Sequence, residues 1–188
     1  VTLKRFTLPK GGWSFKMDTN NAGIDKSWFL PDSPLHGWKP IEIERFWGSL
    51  GNTGIGWYRA DVNIPALPTG KQIYLHFEAV DEELMLWIDG KYVGEHNLGP
   101  DGWDKPFTID VTGKLTGGKH HVAMRVYNSK AAGGVWKPIT IMDGPAIEGQ
   151  TQLASHQDTQ NNRQISNQLL YTETEPLGLK GFSGIKTI

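Results

Sequence analysis

The feature that most constrains this chain is a period-two alternation that recurs through its first 143 residues, where helical periodicity is hard to find. The clearest instance is "ELMLWIDGKYVGEH", Glu83 to His96. Leu84, Leu86 and Ile88 alternate with Met85 and Trp87, Asp89-Gly90 turns the chain, and Lys91-Tyr92-Val93 runs back. A two-residue hairpin turn needs positive φ, which Asp and Gly adopt at low cost, so Asp-Gly between alternating apolar residues predicts a β-hairpin. Similar alternation predicts strands over 12–18, 39–44, 56–65, 71–80, 106–112, 120–128 and 135–142, with Gly, Pro, Asn and Asp between them. Eight or nine short strands at that spacing predict an all-β fold, an antiparallel β-sandwich or jelly roll. The segment 22–36 reads as mostly loop, with room for one helical turn.

At 188 residues the chain is long enough for one domain with a real core over 1–143. From Gly144 onward it becomes rich in Gln and Asn, so 144–188 is expected to be a polar linker or a peripheral tail packing on the domain. The net charge of -1 gives no electrostatic case for nucleic acid or an anionic membrane. No apolar run is long enough to span a bilayer. The absence of Cys excludes disulfides and Cys-based zinc sites. A chain that starts at Val1 is expected to be a fragment whose targeting information lies elsewhere.

If each strand crosses the sandwich once, successive turns alternate between its two ends. Asp89-Gly90 then shares one end with the turns at 65–71 and 112–119. The other end gathers the loops 46–56, 81–83, 96–105 and 128–134. That second end is rich in Trp and in hydrogen-bonding side chains. A pyranose presents an apolar C–H face to stack on an aromatic ring and hydroxyls for polar partners. The candidate carbohydrate-binding residues are therefore Trp103, Trp136 and Trp47, with Asp104, Lys105, Asn128 and His96 around them. Trp57 and Trp87 lie in strand patterns and are expected in the core or between the sheets. Trp28 and Trp38 are expected to seal the core edge or to line the same rim.

Other groups carry less chemistry. Adjacent residues on a strand face opposite sides, so His120-His121 is not a metal pair. Arg59 and Arg125 are expected to pair with acids such as Asp61 or Glu78 across the sheet. Asp110 is expected to brace the turn that follows it. A glycosidase needs two carboxylates spanning the scissile bond, and neighbouring acids in Asp81-Glu82-Glu83 diverge. An enzyme reading would put the chemistry on Glu82 or Asp104. No cofactor is implied. Asp18, Asp25 and Asp143 could supply oxygens to a structural Ca²⁺, although no spacing demands one.

Several ordered motifs resemble a known family. They are the Gly-Trp-Tyr-Arg strand (Gly56 to Arg59), Phe-Glu-x-Val-Asp (Phe77 to Asp81), and a hairpin followed by Val-Gly-x-His (Val93 to His96). Pro-Phe-x-x-Asp-Val-Thr (Pro106 to Thr112) and Arg-Val-x-Asn (Arg125 to Asn128) complete the set. Together they resemble the N-terminal sugar-binding jelly-roll domain of family 2 glycoside hydrolases such as β-galactosidases and β-glucuronidases, over roughly residues 12–143. Asp89-Gly90 stands where that family usually has Asn-Gly. The resemblance implies a galactose-binding-like sandwich that is an accessory module of a secreted or periplasmic polysaccharide-degrading enzyme. Its partners would be a polysaccharide or oligosaccharide and a neighbouring catalytic domain. Catalysis in such enzymes belongs to a separate (β/α)₈ barrel of roughly 250 residues, too large for this chain. The competing expectation is a structural domain that supports its catalytic neighbour and binds no sugar.

Overall fold

The computed structural model describes residues 3, 5–48 and 53–144. The segment expected as a tail, 144–188, lies outside the described residues except for Gly144. Among the described residues ten strands form, in chain order: β1 (Arg5–Thr7), β2 (Trp13–Met17), β3 (Lys39–Ile41), β4 (Gly54–Ile64), β5 (Ile73–Phe77), β6 (Glu83–Ile88), β7 (Lys91–Asn97), β8 (Phe107–Asp110), β9 (Gly118–Asn128) and β10 (Ile139–Asp143). They make two sheets, ordered β3-β2-β4-β9-β6-β7 and β1-β10-β5-β8, with every pairing antiparallel. This is the β-sandwich that the alternation predicts.

The alternation decides which residues meet. From β4, Tyr58, Ala60, Val62 and Ile64 point between the sheets, with Val122, Met124 and Val126 from β9 and Leu84, Leu86 and Ile88 from β6. The facing sheet contributes Ile73, Leu75, Phe77, Phe107, Ile109, Ile139 and Ile141. Each fully buried side chain of this size contributes about 2 kcal/mol. The β4–β9 pair is the longest ladder, from Gly54 opposite Asn128 to Ile64 opposite Gly118. A one-residue slip would turn every one of these side chains outward. The Asp89-Gly90 turn has φ of 51° and 76°, the double positive φ that residues of this type accept.

Of the two places expected for Trp57 and Trp87, the core is the one they take, in a second cluster apart from the main one. Both are buried, at 0% and 5% exposure, but on the outer face of the six-stranded sheet and not between the sheets. A lid of turns over residues 18–38 covers them, and Trp28, Phe29 and Trp38 of the lid pack on that face. Trp57 stacks on Trp87 at 5.1 Å, and Phe29 on Trp87 at 5.3 Å. The sheet therefore has two buried faces, and Trp28 and Trp38 serve the second.

The two strand arginines fasten this lid, which corrects their expected pairing with acids. Arg59 is 3% exposed and donates to the carbonyls of Ser33 (2.9 Å) and Leu30 (2.8 Å). Its Nε donates to His121 Nε2 at 3.2 Å, and the His121 Nδ1–H is thereby left to donate to Asp61 at 2.8 Å. Asp61 is thus one bond removed from Arg59. Arg125 donates to Asn21 Oδ1 at 3.0 Å, while Asp18 and Glu83 act on it only through space. Asp18 closes the lid's start by accepting from Ala22 N, Gly23 N and Trp57 Nε1. Its oxygens are occupied, and Asp143 is paired with Lys71. Among the described residues no group of three or more His, Asp or Glu is disposed to hold a metal ion.

Short motifs behave as their chemistry dictates. Asp110 Oδ1 accepts from Thr112 N at 2.9 Å and braces the turn. His120 Nδ1 meets Asp89 Oδ2 at 2.6 Å, tying β9 to the hairpin turn. Gly117 packs against Pro65 and Ala66, so the turns at 65–71, 89–90 and 112–119 share one end of the sandwich.

Candidate functional site

The loops 81–83, 96–105 and 128–134, with Phe46 and Trp47, meet at the opposite end. Glu82 N donates to Tyr127 O, and Asp81 N to Gly134 O. The Glu82 side chain is buried and receives Ser129 N (3.1 Å) and Ser129 Oγ (2.9 Å). Both of its oxygens are therefore spent on bracing the 128–134 loop. Asn128, fully buried, accepts from Lys130 N at 3.1 Å. Asp81 is 6% exposed, and burial, aided by the neighbouring Glu82 charge, pushes its pKa up to about 6.

After β7 the chain makes a short 3₁₀ turn, Gly99–Gly102, whose last residue rests on the strand end. A Cβ at Gly102 would lie 3.0 Å from both Glu82 O and His96 Nε2, so only Gly lets the loop sit this low. His96 is 8% exposed and lies flat on Phe107, with ring centroids 3.9 Å apart. Its Nε2 has no hydrogen bond of ordinary geometry among the described residues. Burial lowers its pKa to about 4, only partly opposed by a polar contact with the Gly102 backbone, so the ring is neutral at pH 7. His96 is the platform under the loop.

Trp103 follows immediately and projects outward, 46% exposed. Trp136 Nε1 donates to Trp103 O at 2.9 Å, and the two indoles stack at 5.6 Å and 17°. Trp136 stacks in turn on Phe46 at 5.3 Å and 18°, with the Lys137 ammonium 4.6 Å from its ring centre. The result is a three-ring ladder, Phe46–Trp136–Trp103. With two rings and an ammonium over it, Trp136 is its support. Trp103 and Phe46, 37% exposed, carry the free aromatic surface, beside the exposed Leu98. Asp104 and Lys105 flank Trp103 and pair with each other at 3.0 Å.

The structure thus gathers Trp103, Trp136, Asp104 and Lys105 on one surface and puts His96 and Asn128 beneath it. Trp47 turns the other way. It packs on Phe15 and Tyr58 and fills the space left by Gly56 and Gly133. Its neighbour Phe46 takes the outward position, and sequence reasoning missed it. The sequence offers only two adjacent aromatics, and which of them faces outward is decided by the seat that Phe15, Tyr58, Gly56 and Gly133 make for Trp47.

Comparison with known proteins agrees with this architecture. A Formosa agariphila protein bearing a provisional β-glucuronidase name is 29% identical over 100 residues, covering 49% of this chain and 12% of that protein. A Thermoanaerobacter pseudethanolicus β-galactosidase is 34% identical over 58 residues, 31% of this chain and 7% of that protein. The chain thus spans about one seventh or less of the curated relatives it matches. Among solved structures, the β-glucuronidase from an uncultured Clostridium superposes with a TM-score of 0.62 at 19% identity, over 77% of this chain and 30% of that one. The apo β-glucuronidase of Ruminococcus gnavus gives 0.64 at 15% identity, over 76% and 29%. Both likenesses are of fold. The profile described as "Glycosyl hydrolases family 2, sugar binding domain" matches residues 39–144, more than half of the 188 residues, and the chain belongs to that family.

Proposed function

We propose that this domain binds glycan as a non-catalytic module of a polysaccharide-degrading enzyme. The observation that carries the reading is Trp103: a large aromatic face exposed to solvent, yet fixed from below by the Trp136 stack and the Trp136 Nε1–Trp103 O bond. A platform ordered before the ligand arrives loses little entropy on binding, which is what a weakly interacting, hydrated ligand such as a sugar requires. The pyranose C–H face stacks on Trp103, and Asp104 and Lys105 exchange their mutual pair for hydroxyl contacts. Phe46 extends the apolar track. Such a ligand is met outside the cytoplasm, which supports a secreted or periplasmic location.

The test is retention on immobilised polysaccharides and titration against a broad soluble panel. Trp103→Ala should abolish retention while leaving the thermal unfolding midpoint within about 2 °C, because an exposed side chain contributes little to stability. Unchanged retention rejects the site. One observation favours a second reading: Phe46, Leu98 and Trp103 form an exposed apolar patch on a chain that covers only 12% of a multidomain relative. Such a patch also suits packing against a catalytic neighbour. That reading predicts no saturable binding to any glycan.

A further inference from the structure

The ladder has a continuation on its Phe46 side. A groove of about 890 Å³ runs along the edge strand β3 and the adjoining part of β2 to Phe46 and Trp47. Phe15 and Trp47 give it an aromatic wall, and Gly11 and Gly12, with open space at their Cα atoms, leave it wide. Its charged lining is Lys16, Lys39 and Arg45 against the single acid Glu42. Lys16 is committed, donating to His36 O at 3.0 Å and lying 4.6 Å over the Trp28 ring. Lys39 and Arg45 are exposed, and among the described residues neither makes an ion pair. The chain as a whole carries a net charge of -1, so a cationic groove is a local feature and not the consequence of a basic protein.

We propose that this groove is a second subsite, joined to the ladder through Phe46, which takes the charged residues of an anionic glycan. The inference rests on the reading of the ladder as a sugar platform and names the class of sugar. The Arg45 guanidinium offers a planar fork that matches a carboxylate or sulfate, and Lys39 a point charge beside it. Aromatic surface from Phe15 and Phe46 lies within the same groove for the ring face of the sugar. A neutral glycan would leave both cations unused.

The experiment uses the 188-residue chain with four soluble polymers, at about 0.15 M salt so that weak long-range attraction is screened. Dextran and dextran sulfate share a backbone and differ in charge. Polygalacturonate supplies carboxylates, and β-1,4-galactan is a neutral comparison. The expected result is tighter binding of dextran sulfate or polygalacturonate than of either neutral polymer, weakened roughly tenfold in the K39Q/R45Q double variant. The control K26Q/K91Q, which removes the same charge elsewhere, should bind as the parent does. Preference for one anionic polymer identifies sulfate or carboxylate as the recognised group. Equal binding of anionic and neutral polymers, or K39Q/R45Q binding like the parent, overturns the groove. In that case W103A-sensitive binding of galactan still leaves the ladder standing. Binding that K39Q/R45Q removes and W103A does not keeps the groove and rejects the ladder. No binding by any polymer rejects both.

Discussion

Two buried groups at the loop end of the sandwich titrate in opposite senses, and their balance is measurable. His96 has a pKa of about 4 in the folded domain against an unfolded value near 6.5. Between those values the unfolded chain binds the proton that the folded one refuses, so stability falls as pH falls through this window. With those two pKa values, the loss between pH 7 and pH 5 is about 2 kcal/mol. Asp81 is raised to about 6 from an ordinary 3.8, so the folded domain takes its proton first and gains stability as pH falls. Over the same interval that gain is about 1 kcal/mol. Each group is more than nine-tenths buried, so solvent screening discounts neither figure heavily. For these two groups together, the parent domain should lose only the difference, about 1 kcal/mol, between pH 7 and 5. Asp81→Asn should lose about 2 kcal/mol relative to its own value at pH 7, and His96→Phe should gain about 1. Phe keeps the stack on Phe107, and any packing cost at Gly102 is independent of pH and drops out of the difference. Urea unfolding at the two pH values reads this directly. Parallel pH profiles for the parent and His96→Phe would refute the assignment of a buried, neutral His96.

Other perturbations test the frame that holds the site. Arg59→Met keeps the apolar stem but removes the bonds to Ser33 O and Leu30 O, so the urea-derived stability should fall by about 3 kcal/mol and proteolysis within 26–36 should accelerate; a loss under about 1 kcal/mol would show that the lid is held otherwise. Gly133→Ala puts a methyl group into the Trp47 ring and 2.7 Å from Asn128 Cβ, at a cost of about 2 kcal/mol. Thermal unfolding that matches the parent would contradict the tight seat given to Trp47.

How much of this was legible in the sequence varies with the range of the interaction involved. Hairpin, strand spacing and the shared turn at 65–71, 89–90 and 112–119 follow from period two and turn chemistry, which are local. β1 escaped because three residues, Arg5–Thr7, cannot display an alternation; only pairing with β10 makes them a strand. The lid reads as loop, which is what its backbone is, but its burial of Trp57 by Trp28 and of Trp87 by Phe29 depends on contacts between residues far apart in sequence. Period two places Trp57 and Tyr58 on opposite faces without saying which face is the main core, and a lidded sheet buries both. Arg59 beside Asp61 suggested an ion pair, yet a buried guanidinium with five donors is better satisfied by loop carbonyls. At the candidate site, Trp103 and Trp136 could be picked out as loop tryptophans. The exchange of Trp47 for Phe46 and the burial of His96 and Asn128 depend on packing that residue type does not encode.

The central claim is that the face of Trp103 receives a sugar. The most direct measurement is a ¹H–¹⁵N titration of the chain with soluble oligosaccharides, following each indole N–H. The account predicts a saturable shift of the Trp103 indole, accompanied by Trp136 beneath it, with Trp57 and Trp87 unmoved behind the lid. An unshifted Trp103 indole at saturating ligand, or shifts centred on another part of the domain, would contradict it.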